Sequence, residues 1–153
     1  MKITKLIMIG ALSVGFALSM QSCGGSADSK KEATQTEVKA ASTNPYAAGE
    51  KIYMAKCIVC HQANGEGIAV AFPPLKNSDY LFADKVRAVA QALNGSNHEI
   101  VVNGLKYNAP MPQQVGTKEE AVAVINYVLN TWGNNGGTVT LEDVKDVVID
   151  PRI

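Results

Sequence analysis

Five consecutive residues, Cys57-Ile58-Val59-Cys60-His61, constrain this chain more than any other part of its sequence. Two thiols three positions apart, followed at once by an imidazole, form the C-x-x-C-H pattern of covalent c-type haem attachment. Thiols at this spacing can add to the two vinyl groups on one edge of a porphyrin, and the histidine can then reach the iron. The pattern therefore predicts one haem c attached through Cys57 and Cys60, with His61 as an iron ligand.

Other uses of the motif fit the sequence less well than haem attachment. A zinc site normally takes four ligands, usually with a second Cys/His pair, and the only other histidine is His98. A thioredoxin-like redox pair follows a strand in a βαβ unit, whereas residues 44–56 have a helical pattern. A disulfide between Cys57 and Cys60 would close a tight, strained ring. Haem attachment is favoured because two of the three cysteines and one of the two histidines fall within these five residues.

The iron of such a haem needs a sixth ligand or keeps an open face. The candidates are Met54, Met111 and His98. Met54 precedes the cysteines on the same helix and is expected in the core, while His98 is expected at the surface. Met111 lies between Pro110 and Pro112, which stiffen the loop so that a soft thioether can be held at the iron. Met111 is therefore the predicted sixth ligand.

The first 43 residues are predicted to be a signal peptide and a tether. Residues 1–22 combine two lysines with an apolar run, as exported proteins do, and Ser22-Cys23 resembles the cleavage site of bacterial lipoproteins. Residues 23–43 contain one large apolar side chain, Val38, which is too little to offset the entropy of ordering. We expect an exported protein that faces the periplasm, lipidated at Cys23 on the inner or outer membrane. The alternative is an ordinary signal peptide with an unmodified cysteine.

Charge gives no reason to expect nucleic-acid binding, because 14 basic residues balance 14 acidic ones. Once Lys2 and Lys5 leave with the signal peptide, 12 basic residues remain against 14 acidic ones, so the mature chain is mildly acidic. Four lysines near the predicted haem could steer it toward an acidic partner, although ordinary solvated charges explain them equally well. They are Lys51, Lys56, Lys76 and Lys106.

Residues 44–137 form the predicted domain, which is helical with one hairpin. Helices are expected from Asn44-Pro45, over residues 79–93, and from a capping box at Thr117 to about Trp132. The turn Asn103-Gly104 between two apolar runs predicts a β-hairpin near residues 100–107. The apolar stripe of the middle helical region is Val86, Val89, Ala90 and Leu93.

Residues 138–153 are predicted to be a short helical extension packed on the domain. A second capping box, Thr140 to Asp143, would open this helix, which would carry Leu141, Val144 and Val148.

From Asn44 onward the sequence resembles a class I cytochrome c. It is especially similar to the small cytochrome c domains found beside, or fused to, copper nitrite reductases and quinoprotein dehydrogenases. The segments that carry the resemblance are HQANGEGIAVAFPPLKNSDYL, IVVNGLKYNAPMP and VINYVLNTWGN. It implies an all-α fold around one covalent haem, with the small β-hairpin near residues 100–107 typical of a bacterial subgroup.

The resemblance also assigns roles to single residues. Gly49 lets the first helix cross closely over the last, and Tyr53 and Tyr127 are the matching aromatic residues. The Pro73 carbonyl accepts a hydrogen bond from the N–H of the haem histidine. This bond orients the ring, as hydrogen-bond partners of metal-ligating histidines generally do. Leu75 packs on the haem.

With both axial positions filled, the expected function is electron transfer and not catalysis. His/Met ligation raises the reduction potential of haem, and a filled iron leaves no position for a substrate. We expect a monomeric, membrane-tethered carrier that passes single electrons between periplasmic redox partner proteins. Two alternatives remain open: a peroxidase- or reductase-like haem enzyme with an open sixth site, and a fixed haem subunit of a larger respiratory complex.

Overall fold

Five α-helices and one β-hairpin make up the secondary structure of residues 44–151, the part of the chain that the computed structural model describes. The predicted signal peptide, tether and Cys23 lie outside these residues. Within the described part, no helix has both the length and the apolar character needed to cross a membrane. The elements are α1 Ala47–Lys56, α2 Ile58–His61, α3 Asp79–Ala83, α4 Lys85–Asn94, β1 Ile100–Val102, β2 Leu105–Tyr107 and α5 Lys118–Leu129.

The first and last helices cross at a glycine, as the resemblance implied. A Cβ atom on Gly49 of α1 would lie 2.0 Å from the backbone oxygen of Ala123 on α5 and 2.8 Å from Cβ of Tyr127. Only glycine allows this approach. Beside the crossing, the rings of Tyr53 and Tyr127 lie 5.5 Å apart, and Trp132 completes a cluster of three aromatic rings. The predicted close crossing is confirmed.

The middle helical region divides into two helices. Asp84 adopts an extended conformation between α3 and α4, and its side chain accepts a hydrogen bond from the Arg87 amide (2.8 Å), which caps α4. The predicted stripe on α4 is partly wrong. Val89 and Leu93 are fully buried, but Val86 is 38% exposed, and Ala88 and Ala92 are buried in addition.

The hairpin forms as the sequence predicts. Ile100 pairs with Tyr107 and Val102 with Leu105 in antiparallel register. Asn103 and Gly104 form the turn, and both have positive φ. The all-α fold with one small hairpin is therefore confirmed.

Two predicted helix ends differ by a few residues. Helix α1 begins at Ala47 and not at Pro45, because the Asn44 side chain accepts its hydrogen bond from the Tyr46 amide (2.9 Å) in a turn before the helix. Helix α5 ends at Leu129 and not near Trp132, because the capping residue Asn130 already has a non-helical backbone, with φ −126° and ψ 16°.

The predicted C-terminal helix is absent from the described residues. Its capping box does form, since Thr140 Oγ1 accepts from the Asp143 amide (3.2 Å) and Asp143 Oδ2 accepts from the Thr140 amide (2.8 Å). Residues 141–146 nevertheless form turns, and the segment stays irregular on both sides of them. Val139 and Val144 are buried in the core. Burial of these two side chains, five positions apart, determines the path of the segment, and the local box does not.

Candidate haem site

The six predicted haem-site residues line one cavity of about 300 Å³. It lies against α4, α5 and the hairpin, and most of its wall is apolar. The six residues are Cys57, Cys60, His61, Pro73, Leu75 and Met111. Cys23, the predicted lipidation site, lies outside the described residues. The fold thus brings two stretches that are distant in sequence to a single cavity.

His61 ends helix α2 and is held by the loop that follows it. Its Nδ1 lies 2.9 Å from the Pro73 carbonyl oxygen. A carbonyl can only accept, so Nδ1 carries the proton and donates, which leaves the lone pair on Nε2 free for a metal. Burial lowers the pKa of His61, and the Pro73 hydrogen bond opposes this effect only in part. Burial therefore favours the neutral ring that metal ligation requires.

Cys57 and Cys60 are free thiols. Their surroundings suit neither a redox pair nor a structural zinc site. Burial, followed by the charge of Cys60, raises the pKa of the Cys57 thiol to about 11. Reactive C-x-x-C pairs in redox enzymes instead have a lowered thiol pKa. Within residues 44–151, no three His, Cys, Asp or Glu side chains gather as they would around a structural zinc ion.

Met111 is positioned by backbone contacts with the end of helix α4. Its amide donates to the Ser96 carbonyl (2.7 Å), and the Ser96 amide donates to the Met111 carbonyl (2.8 Å). Gly95 has a φ of +75°, and a Cβ there would lie 2.6 Å from the Met111 carbonyl oxygen. The glycine therefore lets the methionine loop lie directly against the helix end. Gly95 and Ser96 could not be recognised from the sequence as supports of Met111, because their only signal is a common Asn-Gly helix stop.

The cavity wall also carries a cationic side chain, Arg87, that suits the acidic side chains of a haem. Arg87 Nε is buried and makes no hydrogen bond among the described residues. The guanidinium stacks 3.7 Å above the Tyr80 ring and donates through Nη2 to the Tyr80 carbonyl. Gln91 Nε2 donates to the Tyr80 hydroxyl (3.2 Å). The guanidinium of this cavity-lining residue supplies a counter-charge for a haem carboxylate, and with Cys57, Cys60 and the oriented His61 in the same wall the residues present fit this cofactor.

The two remaining candidate ligands differ in position. Met54, expected in the core, is wrongly assigned, since it is 52% exposed on α1. His98 is exposed, as expected, but it also lines the cavity, and its Nδ1 lies 3.4 Å from Ser96 Oγ.

Fold and cavity together define a protein built to hold one covalently attached haem, and comparison with known proteins agrees. The cytochrome c family model matches residues 46–132. A cytochrome c-552 of Thermus thermophilus is 40% identical over 93 residues, which cover 58% of this chain and 70% of that protein. The cytochrome c subunit of a quinone alcohol dehydrogenase from Gluconobacter oxydans (strain 621H) is 26% identical over 108 residues, but the match covers only 21% of its length.

This chain belongs to the cytochrome c family, as a class I c-type cytochrome. Its cofactor is covalently bound haem c, and Cys57 and Cys60 occupy the positions that the C-x-x-C-H motif requires. It is accordingly a c-type cytochrome electron carrier.

Proposed function

We propose that the haem iron is ligated by His61 and Met111, and that the protein transfers single electrons through the haem edge with no substrate at the metal. The observation that carries this proposal is that the free Nε2 face of a neutral, oriented His61 and the Met111 loop line the same cavity. A haem held there supplies the redox centre. The chain's own residues orient it through Pro73 and Arg87 and exclude water with the apolar wall.

The axial ligation is tested by replacing the methionine. In the oxidised holoprotein, the sulfur-to-iron charge-transfer absorption band should be present in the wild type and absent in Met111→Ala. The reduction potential should fall by on the order of 0.1–0.2 V, because axial ligands tune haem potentials over a range of about 0.8 V. Met54→Ala is the matched control, since this methionine is exposed on α1, and it should change neither quantity. A wild-type protein without the band would instead favour the haem enzyme with an open sixth site.

We further propose that the carrier is exported and tethered to a membrane by a lipid on Cys23. The support comes from the sequence alone: the apolar leader, the cysteine that follows it, and the polar segment 24–43. Metabolic labelling with a radioactive fatty acid should mark the wild-type protein and not Cys23→Ser. Labelling that persists in Cys23→Ser would contradict this part of the proposal.

Electrostatic steering by the four lysines should be weaker than the sequence suggests. Lys76 lies 2.8 Å from Glu66, and Lys106 lies 2.9 Å from Glu99. Exposed pairs of this kind are largely screened by salt. Lys56, which lines the cavity, is therefore the lysine expected to matter most for an acidic redox partner.

A further inference from the structure

Two asparagine side chains are among the groups that attach the C-terminal segment 138–151, called the strap below, to the domain, and each makes one donated and one accepted bond. Asn126 of α5 donates from Nδ2 to the Val139 carbonyl (2.9 Å) and accepts at Oδ1 from the Val139 amide (2.8 Å). Asn94 of α4 donates from Nδ2 to the Val148 carbonyl (2.9 Å) and accepts at Oδ1 from the Asp150 amide (2.7 Å). Each side chain thus bonds the strap backbone once as donor and once as acceptor.

The two asparagines have different neighbours. Asn94 is the last residue of α4, and the next two residues, Gly95 and Ser96, contact the backbone of Met111. Two residues before Asn94 on the same helix, the Ala92 carbonyl accepts hydrogen bonds from the amides of Gln114 (3.0 Å) and Val115 (3.3 Å). The methionine loop therefore rests on the last turn of α4, and the strap is bonded to that same turn. Asn126 lies in the body of α5, and its bonds join the strap to that helix instead.

We infer that Asn94 is a positioning residue for Met111: by tying the strap to the last turn of α4, it fixes the platform from which the methionine loop is held. Helix ends fray readily because their last carbonyls depend on partners from outside the helix, and in α4 part of this support comes from the methionine loop itself. A frayed turn would let Ser96 and Met111 move together away from their positions. The inference rests on the proposed ligation of iron by Met111.

The test raises the pH of the oxidised holoprotein and measures the midpoint, the pH at which half of the sulfur-to-iron band is lost. Asn94→Ala should lower this midpoint by about one pH unit, a roughly tenfold weakening of the methionine-bound state if one proton is released. Asn126→Ala is the matched control, because it removes an equal pair of hydrogen bonds from the same strap. Asn126→Ala should make the protein easier to denature. It should lower the pH midpoint of band loss by less than about 0.3 unit, again for release of one proton.

A purely structural role predicts a different result. The inference is overturned if Asn94→Ala and Asn126→Ala change the pH midpoint of band loss equally, or if Asn94→Ala leaves this midpoint unchanged. Should Asn94→Ala fail to give holoprotein, Asp150→Pro serves instead. It removes the strap's donor to Asn94 from an exposed position, and it should shift the band in the same direction.

Failure of this inference can be told apart from failure of the proposed ligation. A wild-type band that disappears in Met111→Ala supports the ligand assignment, and an unshifted Asn94→Ala then counts against the positioning role alone. Absence of the band in the wild type overturns both.

Discussion

The proximal segment (residues 57–75) and the distal segment (residues 109–115) line the same cavity but are held in different ways. The proximal segment receives hydrogen bonds from several elements. Tyr53 on α1 donates to the Gln62 carbonyl (2.6 Å), and Trp132, beyond α5, donates through Nε1 to the Ala63 carbonyl (2.9 Å). His61 itself is bonded to Pro73.

The distal segment is held chiefly by the end of one helix. The backbone bonds described above join Met111, Gln114 and Val115 to residues 92–96 of α4 and its cap. The proximal segment also carries the covalent haem attachment. We therefore expect the distal segment to control which iron ligand is released most easily, and with it the reduction potential.

The largest expected effect breaks the proximal support itself. Gly49→Ala would place a Cβ 2.0 Å from the Ala123 carbonyl oxygen, so α1 and α5 must separate. We expect a loss of about 3 kcal/mol in the free energy of unfolding, at the upper end for overpacking. Denaturant unfolding of the holoprotein measures it.

Gly116→Ala is the control for this change. A Cβ at Gly116 meets no atom within 4 Å, and its φ is not left-handed. Its stability should stay within about 0.5 kcal/mol of wild type, as for an ordinary surface substitution. Equal losses in the two variants would show that the helix crossing is not the tight point of the fold.

A smaller effect, confined to the distal side, is expected for Gly95→Ala. The new Cβ would lie 2.6 Å from the Met111 carbonyl oxygen, at a residue whose φ is +75°. Strain and the clash together should cost about 2 kcal/mol. The sulfur-to-iron band should weaken while haem attachment stays complete.

The hairpin offers a matched glycine for Gly95→Ala. Gly104 has a similar φ of +80°, but a Cβ there meets nothing within 4 Å. Gly104→Ala should therefore show only the cost of the left-handed backbone, about 1 kcal/mol, with the band unchanged. A weakened band in Gly104→Ala would mean that general destabilisation, and not the contact with Met111, controls the distal segment.

The contrast between the two segments also explains what the sequence could predict. Residues 57–75 carry chemistry whose spacing is fixed by the porphyrin, so Cys57, Cys60 and His61 could be named from their order alone. The hairpin was equally accessible, because the Asn103-Gly104 turn is a local signal. Met111 could be proposed because its flanking prolines mark it.

The support of the distal side could not be predicted, because it depends on contacts distant in sequence. Nothing local to Asn94 or Gly95 indicates that one bonds residues 148 and 150 while the other contacts Met111. The C-terminal box shows the same limit. Thr140 and Asp143 satisfy each other as a helix start would, yet residues 141–146 form turns, because burial of Val139 and Val144 and the tertiary bonds from Asn94 and Asn126 together hold the neighbouring backbone.

A still smaller effect is expected at alkaline pH, where the proximal segment should lose folding stability through Tyr53. Burial is the largest cause that raises the pKa of Tyr53 above its ordinary value. In the unfolded chain a tyrosine ionises near pH 10, so above about pH 10 the unfolded state binds fewer protons than the folded state. Stability contributed by Tyr53 is therefore complete below about pH 10 and is lost as the pH rises further.

Tyr53→Phe separates this titration from the hydrogen bond to Gln62. At neutral pH the variant should be about 1 kcal/mol less stable, the usual net value of one hydrogen bond. Toward pH 11 the difference should shrink by up to about 1.4 kcal/mol per pH unit, because phenylalanine does not ionise in the unfolded chain. Trp132→Phe is the control: it removes a hydrogen bond to the same segment without removing a titrating group, so its deficit should not change between pH 7 and 11. If the Tyr53→Phe deficit is equally constant, the alkaline weakness does not come from Tyr53, and the proximal segment is secured at every pH at which the fold survives.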